Sequence, residues 1–317
     1  MDRLLAAMRA AAETTRLRIL ALLAHGELTV GELVTVLDQS QPRVSRHLKL
    51  MCEAGLLDRF QEGTVVFYRL IDRGVGEKLN QALIPLVPEN GSSFSQDLVA
   101  LSQIRRVRFE KAQSYFRDNA ASWDEIRSLH VAEEQVEDAL LALQGGERQV
   151  RFLDVGTGTG RMLELFAPFV DHAVGIDVSR EMLAVARENL AQTNLMHCQV
   201  RHGDMYDLGV NTESQDLIVF HQVLHFADEP ALALREAARA LACRGKILVA
   251  DFAPHEEEFL RSEHAHRRLG FADEEITSLG EQAGLSCNAL QHLVGGRLRV
   301  TVWCFEKLRP TQVAGEE

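Results

Sequence analysis

The sequence predicts an α/β protein in two parts, a small head of helices with a β-hairpin and a larger body with a parallel β-sheet. From Val150 onward, short β-rich segments alternate with helical ones, which is typical of a parallel sheet with helices on both faces. One of these segments, 152–155, runs directly into a loop with three glycines. Residues 14–70 instead show short amphipathic helices followed by two strands around a turn.

Length, charge and cysteine content set limits on the class of protein. The 317 residues suit two domains, and the net charge of −12 argues against a protein coated with nucleic acid. Residues 1–85 carry 11 Lys and Arg against 10 Asp and Glu, and the rest carries 23 against 36, so two parts with different partners are expected. The sequence has no apolar run long enough to span a membrane and no signal-peptide layout, and its five cysteines are scattered. These observations predict a cytoplasmic protein without a membrane partner.

The glycine loop is the clearest candidate for a ligand site. The buried strand 152–155 leads into Gly-Thr-Gly-Thr-Gly at 156–160, and a helix begins at about Arg161. Glycines allow a sharp turn and a close approach to a ligand, and a helix amino terminus offers N–H groups to a negative charge. A nicotinamide-binding fingerprint would have a third glycine where Arg161 stands. The other predicted strands are 173–176, 198–200, 217–220, 246–250 and 298–305, the last of them antiparallel at one side.

Polar residues follow the next strands at matching positions. Asp177 ends the second strand, where a carboxylate can accept hydrogen bonds from both ribose hydroxyls. Asp204 follows the third strand and is a candidate acceptor for an adenine amino group, although a turn or helix-cap role is the alternative. The fourth strand ends at His221. Ligands of open α/β sheets bind at the carboxyl ends of successive strands, so these residues are expected in one cleft.

On these motifs, residues 108–308 resemble the class I S-adenosylmethionine (SAM)-dependent methyltransferases, which have a Rossmann-like sheet. Residues 153–160 look like the first motif of that family, Asp177 like its ribose-binding acid, and 203–205 like its adenine-contacting segment. The resemblance implies that SAM or its product S-adenosylhomocysteine is the cofactor. The cofactor-binding residues that it implies are Asp154, Gly156, Thr157, Gly158, Gly160, Asp177, Val178, Asp204, Met205 and His221.

Methyl transfer from a sulfonium needs an aligned nucleophile and, for some acceptors, a base. His221 and His225 are the candidate catalytic bases, and the alternative is that one caps the strand and the other packs under the cofactor. His264 and His266 would point about 200° apart on a helix, so no metal site is expected. Three aromatic residues precede the sheet and either cover the cofactor or belong to the core: Tyr115, Phe116 and Trp123.

The head has its own pattern, with helices at 15–25, 30–37 and 42–54 and strands at 57–59 and 65–70 around a turn at 61–64. Pro42 is expected to begin the third helix as its first residue. This order is the winged helix-turn-helix arrangement, in which polar groups of the third helix reach base edges and phosphates. The predicted DNA-binding residues are Gln41, Arg43, Ser45, Arg46, His47 and Lys49 of this helix, with Arg59 and Arg69 beside the hairpin tip.

Residues 5–85 resemble the ArsR/SmtB repressors, in the segments 15–20, 45–49 and 53–57. The resemblance implies a double-stranded DNA operator and a homodimer formed through the first and last helices. Apolar residues such as Leu4 and Leu83 suit that interface or an ordinary core. The segment 27–33 lacks the paired cysteines of many metal sensors, so a thiolate metal site is not expected there.

These patterns predict five segments: a winged-helix DNA-binding domain at 1–86, a linker at 87–97, a helical segment that covers the cofactor site at 98–147, a SAM-binding methyltransferase domain at 148–308 and a flexible tail at 309–317. The first functional interpretation is an ArsR-type transcriptional regulator that binds SAM or S-adenosylhomocysteine as effector or methyl donor.

The alternative is an enzyme, a small-molecule methyltransferase whose head serves dimerisation or autoregulation. Methylation of nucleic acid or of a bound protein ranks below both interpretations. Amino-methylating DNA enzymes carry an Asn-Pro-Pro-Tyr-like motif where Phe220-His221-Gln222-Val223 stands here, and the body is acidic.

Overall fold

The computed structural model describes residues 1–62, 64–71, 74–88, 93–120, 133–193, 195–295 and 298–307. The chain forms two compact units, Met1–Lys111 and Ala112–Glu317. Trp123, Gly63 of the hairpin turn, residues 89–92 of the expected linker and the expected tail at 309–317 lie outside the described residues. Among the helices within those ranges, none is both long enough and apolar enough to cross a membrane.

The first unit contains a helix-turn-helix and a hairpin. Helices Thr14–Leu23, Val30–Leu37 and Gln41–Glu53 confirm the three predicted helices, with ends that differ by at most two residues. Strands β2 (Leu57–Glu62) and β3 (Val65–Leu70) form the hairpin, and the short strand β1 (Leu28–Thr29) pairs with β3. The other helices of this unit are Asp2–Ala11, Gly74–Leu83 and the 3-10 turn Ile84–Leu86.

Local hydrogen bonds and burial fix the helix-turn-helix. A capping box starts the second of its helices, because Thr29 Oγ1 accepts the Glu32 N–H at 3.2 Å and Glu32 accepts the Thr29 N–H at 2.8 Å. Pro42 is the second residue of the next helix rather than the first. Three residues of that helix are fully buried, as the sequence predicted, and leave its polar face to solvent: Val44, Leu48 and Met51.

The boundary between the units falls inside the helix Ser93–Asn119. Within the first unit, Phe94 and Leu101 of this helix lie in the apolar core. Asp97 is also buried and accepts a hydrogen bond from Arg18 Nε at 2.6 Å. The core of the head therefore includes part of the segment expected as a linker, because the helix packs its apolar face back onto the head.

The second unit is built on one sheet whose strands are β4 (Gln149–Val155), β5 (Val170–Asp177), β6 (Cys198–His202), β7 (Gln215–His221), β8 (Leu241–Phe252), β9 (Leu285–Gly295) and β10 (Leu298–Lys307). The spatial order is β6–β5–β4–β7–β8–β10–β9. The five strands from β6 to β8 run parallel, which confirms the predicted sheet.

The two last strands complete the sheet at one side. β10 is the predicted strand at 298–305, and it is antiparallel to β8 as expected. The edge, however, is formed by β9, which is not among the strands predicted from the sequence. Polar residues such as Asn288, Gln291 and His292 interrupt the apolar alternation of β9, as an edge strand allows.

Helices cover both faces of this sheet. They are Glu133–Gln144, Arg161–Phe166, Arg180–Gln192, Pro230–Ala240, Phe259–Glu263 and Asp273–Gln282, with 3-10 turns at Ala167–Phe169 and Leu224–Phe226. Successive residues of one strand enter different apolar clusters, for example Phe152 and Leu153 of β4. Burial on both faces explains the nearly continuous apolar runs of the parallel strands.

Candidate cofactor cleft and nucleic-acid interface

A cleft opens at the carboxyl edge of the sheet, where β5, β4 and β7 end side by side. Its empty volume, open mouth included, is about 790 Å³. The structure brings eight of the ten predicted cofactor residues to this cleft: Asp154, Gly156, Thr157, Gly158, Asp177, Val178, Met205 and His221. Their binding roles stay predictions.

The glycine loop shapes the floor of the cleft. Gly156 has φ +72°, and a Cβ at this position would lie 2.9 Å from the Cβ of Val223, so only glycine fits. The N–H groups of Gly156 and Thr157 donate to Ile176 O, each at 2.9 Å. Gly158 N donates to Asp177 Oδ2 at 2.9 Å. These three N–H groups therefore tie the loop to β5. The expectation of N–H groups offered to a negative charge concerns the helix that begins at Arg161, and it stays a prediction.

Asp177 joins the loop to the end of β5. Its Oδ1 accepts the Ser179 N–H at 2.8 Å, while Oδ2 accepts the Gly158 N–H. Desolvation raises the pKa of Asp177, and the backbone N–H groups of Ser179, Gly158 and Val178 oppose that shift. A carboxylate has about four lone-pair sites, so these three N–H groups leave the side chain able to accept one further bond, from a ribose hydroxyl.

Two predicted cofactor residues lie outside the set that lines the cleft. Gly160 has φ +90° and caps the helix Arg161–Phe166, with a Cβ position 3.3 Å from Ala186 Cβ. Asp204 is exposed, and its Oδ1 accepts the Tyr206 N–H at 3.0 Å. This geometry favours the turn role that the sequence left open for Asp204.

The two candidate bases have different environments. His221 ends β7 and lines the cleft. His225 is 2% exposed, and its Nδ1 lies 2.8 Å from Asp251 Oδ1. Its ring also stacks on His266, with 4.0 Å between ring centroids. Of the two histidines, only His221 is placed to meet a ligand in the cleft, and the catalytic roles of both stay predictions.

Aromatic side chains close one side of the cleft. Phe116 and Phe226 both line it, and their rings meet edge to face with 4.9 Å between centroids. Beside them, Tyr115 Oη lies 2.7 Å from His264 Nδ1. Burial raises the pKa of Tyr115 to about 12, so the hydroxyl stays protonated beside the imidazole. Phe116 thus lies at the cleft, and its role as a cover for the cofactor stays a prediction.

Gln222 lines the cleft but is not among the cofactor-binding residues predicted from the sequence. It follows His221 directly and has φ +50°, in the left-handed region that glutamine rarely adopts. No local sequence signal marks this conformation, because neither glycine nor asparagine stands at the turn. Apolar residues that also line the cleft and were not selected are Met162, Ile176, Met182 and Val223.

Arg161, which stands in place of a fingerprint glycine, has a structural partner. Its Nε and Nη2 donate to Glu137 Oε1 and Oε2, both at 2.6 Å. The hydrogen bonds to Glu137 raise the pKa of Arg161. A bidentate pair of this kind joins the helix after the glycine loop to the helix Glu133–Gln144.

The polar face of the helix Gln41–Glu53 is the candidate nucleic-acid interface. Five of its six predicted DNA-binding residues are exposed: Gln41, Arg43, Ser45, Arg46 and Lys49. His47 is half-buried instead, with Nδ1 3.8 Å from Glu13 Oε2. Desolvation lowers the pKa of His47, which favours the neutral form of its ring. The exposed arginines are therefore the stronger candidates for phosphate and base contacts.

The two arginines beside the hairpin tip also differ. Arg59 is exposed. Arg69 lies between two carboxylates, 3.3 Å from Asp58 Oδ2 and 3.8 Å from Glu27 Oε1, and its guanidinium sits over the Phe60 ring. Arg59 is thus the more accessible of the two for a DNA phosphate.

The side chains that hold metals in proteins are dispersed in the part of the chain that the structure describes. Within the described ranges, no group of three or more His, Cys, Asp or Glu side chains is arranged to bind a metal ion. The five cysteines are free thiols, and burial raises the pKa of Cys198 and of Cys304 to about 11.

Two family models match the chain in separate regions. Residues 13–59 match the model of the bacterial regulatory protein, arsR family, and residues 153–249 match the model of the methyltransferase domain. The first region contains the helix-turn-helix, and the second contains the glycine loop, Asp177 and His221.

Known proteins show the same division. The arsenic resistance transcriptional regulator ArsR1 of Pseudomonas putida is 38% identical over 94 residues, which are 29% of this chain and 73% of ArsR1. The uncharacterized methyltransferase YcgJ of Bacillus subtilis is 30% identical over 147 residues, 45% of this chain and 57% of YcgJ. The chain spans about half the length of the first curated relatives that it matches.

A solved structure is similar in fold. It is a chain of the complex between the Haloferax volcanii Trm112 methyltransferase activator and its partner, with a TM-score of 0.50 and 20% identity over 59% of this chain and 96% of that one. The family models, the coverage of ArsR1 and the order of the sheet agree. The chain therefore belongs to the ArsR family of bacterial regulatory proteins through its amino-terminal region, and it carries a methyltransferase domain of the class I fold behind that region.

Proposed function

We propose that the chain is an ArsR-type DNA-binding regulator whose methyltransferase domain binds SAM or S-adenosylhomocysteine, as effector or as methyl donor. The observation that carries the proposal is the charge of the cleft. Asp154 and Asp177 line it at the ends of adjacent strands, and no Lys or Arg is found among the described residues around it. Phosphates of a dinucleotide need cationic or N–H donors, whereas SAM has a sulfonium and an ammonium and no phosphate.

The residues around the cleft fit the parts of this cofactor. Asp177, whose carboxylate accepts the N–H groups of Gly158 and Ser179, would also accept a bond from a ribose hydroxyl. Val178 and Met205 offer apolar surface for an adenine ring, and Phe116 and Phe226 restrict access of water from one side. When bound, SAM supplies a methyl group on a sulfonium.

For the head, we propose that the exposed face of the helix Gln41–Glu53 enters the major groove of an operator. Arg43 and Arg46 lie on that face beside Ser45. A homodimer would present two such helices to a near-palindromic site, and the protein would act in the cytoplasm. We do not propose that this chain senses arsenic, because the segment 27–33 has no cysteine to supply a thiolate.

The test uses the full chain and duplexes that it selects from a random DNA pool. Mobility shifts are measured with increasing SAM and with increasing S-adenosylhomocysteine, after calorimetry has given the affinity of each. We expect one of the two ligands to change the DNA affinity by about 5-fold or more, as is typical of coupled sites. An effector role is excluded if both ligands bind and the DNA affinity does not change.

A second candidate function is methylation of a small molecule, and the position of His221 in the cleft favours it. His221 would take a proton from the acceptor as the methyl group is transferred. Labelled SAM and a small-molecule cell extract test this reaction, with His221→Ala as the variant. Tight SAM binding without label transfer to any acceptor would argue against an enzyme.

A further inference from the structure

The side-chain amide of Gln222 is buried at the cleft without a protein partner. Gln222 is 8% exposed, and its Nε2 makes no hydrogen bond to any residue in the described part of the chain. The residue lines the same cleft as Asp154 and Asp177. Buried amides almost always have a hydrogen-bond partner, so this one points to a ligand that supplies it.

The backbone holds Gln222 in this position at a conformational cost. Its φ of +50° is left-handed, and its N–H donates to Ala250 O at 2.7 Å, which fixes the turn after β7. The next residue, Val223, packs against Gly156 of the glycine loop. Residues other than glycine that are held in such conformations concentrate at ligand sites.

The order of the strands indicates which end of the cofactor meets Gln222. Asp177, Asp154 and Gln222 belong to or directly follow β5, β4 and β7, three neighbouring strands that lie about 4.8 Å apart. A ribose bound at Asp177 would direct the amino-acid end of the cofactor past Asp154 towards β7. That end carries an ammonium, which a carboxylate such as Asp154 complements, and a carboxylate, which needs a donor.

We propose that Nε2 of Gln222 binds the carboxylate at the amino-acid end of SAM and S-adenosylhomocysteine. The inference rests on the proposed cofactor function. No cationic Lys or Arg side chain is among the described lining residues, so neutral donors must serve the carboxylate. The N–H groups of Gly156, Thr157 and Gly158 already donate to β5.

A second buried polar group of the cleft, the hydroxyl of Thr157, lies on the ribose side. Thr157 Oγ1 also makes no hydrogen bond within the described residues. Its side chain, however, packs over Gly175 of β5, where a Cβ would lie 2.7 Å from Thr157 Cβ. Thr157 therefore does not compete with Gln222 for a ligand group on the β7 side of Asp154.

The experiment compares two probes on the full chain by calorimetry. S-adenosylhomocysteine has the amino-acid end, whereas 5′-methylthioadenosine has the same adenine, ribose and thioether without it. Gln222→Leu keeps the size of the side chain and removes the donor. We expect this variant to bind S-adenosylhomocysteine about 10-fold more weakly or worse and methylthioadenosine within about 2-fold of the original chain, because hydrogen bonds to charged groups are the strong ones.

Two further variants sharpen the result. Gln222→Glu places a negative charge beside the carboxylate, so it should weaken S-adenosylhomocysteine at least as much as Gln222→Leu and again spare methylthioadenosine. Asp177→Asn is the control, since it replaces one acceptor oxygen of the ribose side by an NH₂ group and should weaken both probes alike. If Gln222→Leu does not fold, as thermal unfolding will show, Gln222→Glu carries the comparison.

The outcomes separate this inference from the proposed function. Binding of neither probe by the original chain overturns the cofactor function and the role of Gln222 with it. Binding of both probes, with their affinity ratio unchanged in Gln222→Leu and Gln222→Glu, overturns the role of Gln222 alone. Equal weakening of both probes by the Gln222 variants also overturns it, since the amino-acid end would then not be what Gln222 recognises.

Discussion

Asp251 holds His225 through both the ring and the backbone. Its Oδ1 lies 2.8 Å from His225 Nδ1, and its Oδ2 accepts the His225 N–H at 3.2 Å. Asp251 is fully buried and His225 is 2% exposed. The pair therefore fixes the 3-10 turn Leu224–Phe226 against β8, and through it the position of Phe226 at the cleft.

Removal of this carboxylate should be costly for stability. We expect Asp251→Ala to lower the free energy of unfolding by about 3 kcal/mol or more, because it leaves a buried imidazole and a buried N–H without their acceptor. Urea unfolding of the full chain measures the effect. The matched control is Asp171→Ala, which removes an exposed ion pair with Arg148 at 2.6 Å and should cost less than about 1 kcal/mol. Similar losses in both variants would show that the buried pair has no special role.

The glycine at position 156 should be indispensable for the shape of the cleft. Alanine there would combine a φ of +72° with a collision against Val223. We expect Gly156→Ala to destabilise the chain by about 2 kcal/mol or more and to weaken binding of S-adenosylhomocysteine. Urea unfolding and calorimetry measure the two effects.

The chain offers a control that separates the two causes. Gly146 has φ +74°, and nothing lies within 4 Å of its Cβ position, so Gly146→Ala should show only the backbone cost of about 1–2 kcal/mol. Adding Val223→Ala to Gly156→Ala should recover part of the loss by removing the collision. Equal costs for the two glycines, without recovery in the double variant, would contradict the packing argument.

The residues that could be predicted from the sequence are those whose role depends on the local chain. Gly156 and Asp177 stand at the ends of apolar strands, and parallel strands bring their carboxyl ends together whatever the rest of the fold does. The three helices of the head follow in the same way from apolar spacing and from the capping box at Thr29.

Other features depend on contacts between distant segments and leave no local signal. His225 lies only four residues after His221, and its separation from the cleft follows from Asp251, which belongs to another strand. The left-handed turn at Gln222 likewise depends on Ala250 of the neighbouring strand. Phe94 and Leu101 join the core of the head although they follow a segment rich in turn-forming residues.

His47 should make the stability of the head depend on pH. Desolvation lowers its pKa in the folded state, with Arg16, Arg43 and Arg46 adding to the shift and Glu13 opposing it. The unfolded chain, with a histidine pKa of about 6.5, then binds the proton more readily, so stability falls as the pH drops below that value. We expect His47→Gln to lose less stability than the original chain between pH 7.5 and 5.5 in urea unfolding. Parallel pH profiles would be the contrary result.

The exposed arginines of the helix Gln41–Glu53 should carry the DNA affinity. We expect Arg43→Ala and Arg46→Ala each to weaken binding to a selected duplex by about 10-fold or more, because each removes a base or phosphate contact. A phosphate contact would also reduce the slope of log affinity against log salt by about 1, whereas a base contact would relax sequence preference at one position. Mobility shifts over a series of salt concentrations distinguish the two cases.

Lys78→Ala is the matched control for this comparison. Lys78 is exposed on the helix Gly74–Leu83 of the same unit, and its loss changes the net charge of the head by the same amount. If the polar face of the helix Gln41–Glu53 reads the operator, Lys78→Ala should alter the affinity by less than about 2-fold, because charge outside the interface acts only through screened, long-range attraction. A loss as large as that of the arginine variants would mean that the head attracts DNA through its overall charge, and the helix would then have no reading role.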